Sequence, residues 1–595
     1  MLFGKYLNKY YIKYLGLYII GVIGLVIVDY FQLYIPNYLG KVVDLASSNN
    51  IDIDLITKYV LIVVGVAFLM FLGRMLWRFS LFNASLKTQE GLRNDMFLKS
   101  LRLSERFYHE NKVGNIMALY TTDLETIEEY LGWGFIMLFD AVFLSLLVAI
   151  KMILLDWVLA LIALIPMLLI VVWGLLVEKF MALKWKERQE AFDELYDFSL
   201  ENFTGIRVIK AFVKGTSEIH HFSKIARKNK DVNINFARIS VLFDVLISLI
   251  IIIIMSLLMG LGGYFTYCYT LREPVVLFGH EIALKAGDLV TFIGYFDIMI
   301  WPMMALGQIV SRRSRAKASY SRISKFLDEI EEIENPKNAI KLNNIKGNIR
   351  FNNYSFNYPN CDYKSLNNIS IEIKSGEIIG VVGKIGSGKT TLAKSLLRLY
   401  NIPKNSIFID DIDLMDCDIK SLRESIGYVP QDNFIFSEKI RNNIALSDMD
   451  IEFDKIKGAA IFSDVDSNII EFKDGYDTIT GERGVSLSGG QKQRISIARA
   501  YIKNAPIMIM DDSVSAVDIK TEEKILENIK KYRKGKTTIV IASRVSTVVG
   551  LDRILVLNNG EVEAFDTHEN LLNISPTYQR MVYLQTLEKE VEGGK

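Results

Sequence analysis

Leu487-Ser488-Gly489-Gly490-Gln491 decides how this chain is read, because it stands in a fixed order with other motifs. Before it lies Gly383-Lys384-Ile385-Gly386-Ser387-Gly388-Lys389-Thr390, a full match to G-x-x-x-x-G-K-[ST]. After it, the apolar run Ile507-Met508-Ile509-Met510 ends in Asp511-Asp512. The glycines of the first motif let the backbone curl until successive N–H groups point at phosphate oxygens. A helix beginning near Lys389 adds its positive end. Lys389 is then expected to reach the β- and γ-phosphates of a nucleotide and the Thr390 hydroxyl to ligate Mg²⁺, with Thr391 beside them. A phosphate-cradling loop alone marks a large superfamily. Its combination with LSGGQ is far more specific.

Outward from these motifs the composition divides the chain in two. Half of the 595 residues are hydrophobic, and the excess sits in the first 310 positions. Six apolar segments can be drawn there, near 14–36, 57–77, 132–152, 155–177, 241–265 and 287–310, each close to the length that spans a hydrocarbon core. Only the short turn at Leu155-Asp156 separates the third from the fourth. Long, charged, helical connections follow the second and the fourth. Lys5, Lys9 and Lys13 precede the first segment and the long loops are rich in Lys and Arg, so the positive-inside bias puts these loops and both termini in the cytoplasm. No cleavage site follows the first apolar segment, which reads as an uncleaved anchor. With 69 basic and 68 acidic residues there is no bulk attraction to nucleic acid. Cys268, Cys361 and Cys417 are scattered without metal-ligand spacing.

From 312 to 341 the sequence turns charged and helical, Pro336 closes that stretch, and 349–356 opens with strand-like alternation. The expected organisation is a membrane domain over 1–320, a linker over 321–344 and a nucleotide-binding domain over 345–595. The fold class is an α-helical six-span transmembrane domain followed by an α/β P-loop NTPase domain. On these motifs the C-terminal half resembles the nucleotide-binding domain of ABC transporters, and the N-terminal layout resembles the six-helix half of an ABC exporter. The resemblance implies ATP and Mg²⁺ as ligands, a plasma-membrane location and a small amphipathic cargo. It implies that Tyr358, in Phe356-Asn357-Tyr358-Pro359, stacks on adenine. Gln431 becomes the loop glutamine that touches Mg²⁺ and senses the membrane domain, and Asp511 the aspartate that holds the Mg²⁺ shell. Thr480-Gly481-Glu482-Arg483-Gly484 resembles the exporter-type loop that meets coupling helices, whose counterparts here are 107–123 and 201–212.

Two departures stand out. Where the family places a glutamate that polarises the attacking water, this chain has Asp512. Its carboxylate is withdrawn by roughly 1–1.5 Å, a displacement that costs on the order of 100-fold in a proton transfer. Where the family has a histidine at the γ-phosphate, this chain has Ser543. Sites in this family form between two domains facing head to tail, so an intact LSGGQ serves the partner's site. The pattern resembles the degenerate half of a heterodimeric multidrug-type exporter: Asp512, Ser543 and Gln431 form a weakly hydrolytic site of its own. Two alternatives stay open: a slow homodimeric exporter of lipid or peptide, and an ATP-gated regulatory or channel-like protein. Asp29, Arg74, Asp140, Asp244 and Asp297 lie in or near the apolar segments. Charge at membrane depth usually faces a polar interior, which makes Asp29, Arg74, Asp140 and Asp297 candidates for the substrate pathway. Structurally, Asp29 would pair with Arg74, and Asp140 and Asp244 would sit near helix ends.

Overall fold

A computed structural model describes residues 4–48, 52–359, 361–481, 484–515 and 517–593. The chain divides into two units: 1–100 with 113–329, and 101–112 with 330–595.

The first unit is helical. Among the described residues, five helices are long and apolar enough to cross a membrane: Leu15–Ala46, Ile53–Arg102, Val113–Leu155, Gly215–Thr270 and Ala286–Leu327. The sixth expected span falls on Trp157–Thr204, whose described apolar stretch, Trp157–Trp173, is shorter. Asp156 begins that helix: its Oδ1 accepts from the Leu159 N–H at 2.8 Å and its Oδ2 meets His280 Nε2 at 3.2 Å. Helices approach closely where glycines meet. A Cβ on Gly40 would lie 2.2 Å from the Gly287 carbonyl, so the first and last spans touch backbone to backbone. The adjacent Gly287 N–H donates to Asp44 Oδ1 at 2.6 Å.

The expected ion pair of Asp29 with Arg74 does not form. Asp29 is buried with Oδ2 unpartnered, whereas Arg74 points outward from its helix. It is Gly73 and Trp77 that pack inward, and Arg74, one position on from Gly73, is turned away from the interior. Nor does Asp140 lie near a helix end. It opens a five-residue π-helical turn, Asp140–Leu144, well inside the Val113–Leu155 helix, and is buried. Asp244 is exposed and lies inside the Gly215–Thr270 helix.

The second unit is built on two sheets. One has six strands in the order Glu561–Asp566, Arg553–Asn558, Ile378–Gly383, Thr537–Ile541, Ile507–Asp511, Ile426–Val429. All its pairings are parallel except the first. Its three central strands are buried along their whole length, which is why they read as unbroken apolar runs rather than as alternation. The other sheet is antiparallel, with Leu366–Ile373, Ile349–Phe356, Ile407–Ile409 and Ile412–Asp413 in that order. Parallel register aligns the C-terminal ends of Ile378–Gly383, Thr537–Ile541 and Ile507–Asp511, with Ile541 beside both Val381 and Asp511. Ligands of open parallel sheets bind at that edge.

Candidate nucleotide site

At that edge the chain leaves Ile378–Gly383, curls through Lys384–Ser387 and enters the Lys389–Leu396 helix. Gly386 (φ 82°) and Gly388 (φ 93°) hold left-handed backbone that side chains rarely adopt. At Gly388 the space is closed as well, since a Cβ would lie 2.6 Å from the Ser365 carbonyl. Lys389 Nζ donates to the Gly383 and Lys384 carbonyls at 2.8 and 3.0 Å, folding the side chain back over its own loop. Burial lowers its pKa, against the opposing pull of Asp512 and Asp511. Ile385 is fully exposed at the loop tip, and Ser387 is buried beneath it.

Asp511 ends its strand fully buried. Thr390 Oγ1 donates to Asp511 Oδ1 at 3.1 Å, and the Tyr428 hydroxyl donates to Oδ2 at 3.4 Å. Burial raises the Asp511 pKa while these two bonds hold it down. Tyr428 is a member of this site that its sequence did not reveal. It sits on the neighbouring Ile426–Val429 strand, and only the register of that strand with Ile507–Asp511 brings the phenol to the carboxylate. Tyr358 packs edge-on against Phe356 and Tyr400, with ring centroids 5.2 and 5.3 Å apart, and its hydroxyl shares a hydrogen bond with Thr391 Oγ1 at 3.1 Å. Gln431 is exposed on the loop after Val429.

The two departures meet. Ser543 Oγ donates to Asp512 Oδ1 at 3.2 Å. Asp512 lies in left-handed backbone (φ 47°), a conformation that aspartate tolerates better than most residues. It is pinned on both sides: its N–H donates to the Ile541 carbonyl at 3.0 Å, and its own carbonyl accepts from Gln493 Nε2 at 3.2 Å and Ser515 Oγ at 2.9 Å. Gln493 links this corner to the LSGGQ helix, a connection invisible in the linear sequence.

Leu487 is buried while Ser488 and Gly489 are exposed. Ser488 caps the Gly489–Ile502 helix in a reciprocal box: its N–H donates to Gln491 Oε1 at 2.9 Å, and its Oγ accepts from the Gln491 N–H at 3.3 Å. Gly490 follows in the first turn. Among the described residues no hydrogen bond joins Leu487–Gln491 to the loop Gly383–Thr391. Glu482 and Arg483 lie outside the described residues.

The segment 101–112 belongs to this unit. Its short helix Glu105–Glu110 carries Glu105, whose Oε1 lies 2.5 Å from Nζ of Lys394 on the helix that the glycine loop begins. Arg106 and Ser104 both engage Glu332. The other expected coupling piece forms the helix Ile206–Ala211 in the first unit, flanked by exposed Phe203 and Phe212.

These features match known proteins along almost the whole chain. Residues 18–303 match the family described as ABC transporter transmembrane region, and residues 366–515 match the ABC transporter family. A probable multidrug resistance ABC transporter ATP-binding/permease protein, YheI of Bacillus subtilis, is 34% identical over 561 residues, covering 94% of this chain and 93% of that protein. The chain belongs to the ABC transporters. It is of the exporter type, with membrane and ATP-binding domains fused on one chain, and it has the ATPase and translocase activity of that family. The multidrug resistance-like ATP-binding protein MdlA of Escherichia coli is 33% identical over 558 residues, with 94% of this chain and 92% of that one covered. A bacterial Atm1-family ABC exporter solved with ATP bound superposes with a TM-score of 0.78 at 24% identity, over 96% of this chain and 98% of that one, which establishes the shared fold.

Proposed function

We propose that this chain is one subunit of a heterodimeric exporter in the plasma membrane, binding ATP in a weakly hydrolytic site of its own and lending LSGGQ to its partner's competent site. The carrying observation is the Ser543–Asp512 hydrogen bond at 3.2 Å. The carboxylate that should polarise water is one methylene short, and a hydroxyl that cannot reach a γ-phosphate occupies one of its oxygens. Everything needed to hold nucleotide remains: Tyr358 for adenine, Gly383–Thr391 for phosphates, and Thr390, Asp511 and Gln431 for Mg²⁺. That donor set is all hard oxygen, which suits this ion. Ser488 and Gly489 are exposed, capped and free of the chain's own glycine loop, as a signature presented to a second subunit would be.

In this reading residues 1–320 form the membrane domain with six spans and cytoplasmic termini, 321–344 the linker and 345–595 the nucleotide-binding domain. The cargo is a small amphipathic molecule, in keeping with the multidrug descriptions of its relatives. A homodimer that turns over slowly is the second reading, favoured by the retention of an acid at position 512. The deciding measurement is ATP hydrolysis by the purified chain alone and with a co-encoded second half-transporter. Low activity that rises sharply with the partner supports the heterodimer; vigorous turnover by the lone chain refutes it.

A further inference from the structure

Asp29, Asp140 and Trp301 are brought together from three different spans. Trp301 Nε1 donates to Asp140 Oδ2 at 3.2 Å. Asp140 Oδ1 and Asp29 Oδ2 are both buried without any hydrogen-bond partner, and the two side chains lie within electrostatic reach of each other. Asp29 is 3% exposed and Asp140 9%. Neither makes an ion pair among the described residues. Counted from the outer ends of their helices, Asp140 lies fifteen residues before Leu155, Trp301 fifteen after Ala286 and Asp29 seventeen before Ala46. At 1.5 Å per residue these are depths of about 22–26 Å, so the three share one level inside the bilayer.

In front of this buried pair the structure offers a surface. Trp301 is 44% exposed, and the exposed Asp297 lies four residues earlier in the same helix, hence on the same face. Asp297 lies eleven residues after Ala286, about 16 Å from the outer end of its helix; a carboxylate left exposed there is costly against lipid, so this face belongs to a polar cavity. The indole N–H is held by Asp140, which fixes the ring's orientation while nearly half of the residue stays exposed. Carboxyl oxygens without hydrogen-bond partners behind an aromatic ring, with the exposed Asp297 carboxylate one turn away, make an arrangement that attracts a diffuse organic cation. A bare metal ion has no use for the ring, and among the described residues no cluster of metal-ligating side chains is present.

We propose that Trp301 and Asp297, backed by Asp140 and Asp29, form the site that takes the positively charged group of the exported molecule. Asp297 and the ring touch the cation; Asp140 acts behind them by positioning the ring, and a cation bound in front favours the ionised form of the Asp140 and Asp29 carboxyls, which couples them to the site. This deepens the export reading and is independent of whether the partner is a second copy.

The test is equilibrium dialysis on the full-length chain, in the dimer it forms, reconstituted in lipid nanodiscs. Three probes of similar bulk are used: tetraphenylphosphonium, neutral triphenylphosphine oxide and anionic tetraphenylborate. Only the cation should bind tightly. Asp140→Asn, Asp29→Asn and Trp301→Ala should each weaken it about tenfold or more, with Trp301→Phe falling between Ala and wild type, while the neutral probe is unmoved. Asp297→Asn, at an exposed position, should also weaken the cation several-fold and keeps the test valid if a buried variant fails to fold. Equal binding of all three probes, or unchanged cation affinity in Asp297→Asn together with Asp140→Asn, would overturn the site. A dimer that binds the cation selectively but moves nothing into inverted vesicles on ATP addition would instead refute export and leave the site standing.

Discussion

Restoring glutamate and histidine together, Asp512→Glu with Ser543→His, tests the account of the nucleotide site most directly. The added methylene returns roughly 1.5 Å of reach, about one carbon–carbon bond, against a deficit on the order of 100-fold, or about 2.7 kcal/mol in barrier. The full amount is not expected back. Ser543 Oγ now steadies Asp512 Oδ1 at 3.2 Å, and losing such a bond costs about 1 kcal/mol. Position 512 also holds φ 47°, which glutamate adopts less readily than aspartate, at a further cost of about 1 kcal/mol. Its backbone is otherwise clamped by Ile541, Gln493 and Ser515, so the loop itself stays in place. Asp512→Glu alone should therefore raise turnover only about threefold, and the pair about tenfold, with a coupling near 1 kcal/mol between the two positions. The measurement is single-turnover phosphate release from the complex with the partner's own site silenced, so that all product comes from this one. Occlusion of nucleotide should shorten in parallel. A double variant that binds ATP normally but shows unchanged turnover and occlusion would refute the claim that these two side chains silence the site.

Other perturbations separate the two roles assigned to this chain. In the complex, Ser488→Ala or Gly489→Asp should lower steady-state hydrolysis more than tenfold, whereas Lys389→Ala should weaken ATP binding here and leave residual activity; equal damage by both would reverse the assignment. Glu105→Gln removes the charge partner of Lys394 at the end of the glycine-loop helix and should reduce substrate-stimulated ATPase several-fold while basal ATPase stays within twofold. Cys417 is fully buried, and burial together with Asp413 pushes its thiol up to about 11. Only the thiolate reacts with maleimide, so labelling of native Cys417 should be slower than that of Cys361 at pH 8 and should accelerate as pH rises towards 11, as followed by mass spectrometry.

Much of this was legible in the sequence, for a physical reason: the elements that cradle phosphate are local. Gly386 and Gly388 must be glycine because of their own backbone angles, and the strand feeding them is a continuous apolar run because both its faces are buried. Ser488 and Gln491 cap one helix within three residues of each other. What could not be read was set by register and by packing between distant segments. Tyr428 reaches Asp511 only through the pairing of two parallel strands, and Gln493 reaches the Asp512 carbonyl only once the LSGGQ helix has docked. The same limit misled the reading of the membrane half. Asp29 and Arg74 are opposite charges on neighbouring spans, and pairing them satisfies composition. Helix phase decides otherwise, because Gly73 and Trp77 take the inward positions and turn Arg74 outward. Asp29 is then left facing Asp140, which a π-helical turn carries into the interior. A buried carboxyl without a cation beside it is expensive to ionise, and the indole of Trp301 supplies Asp140 with one hydrogen bond but no charge. The positive charge that this arrangement lacks is the one the cargo is proposed to bring.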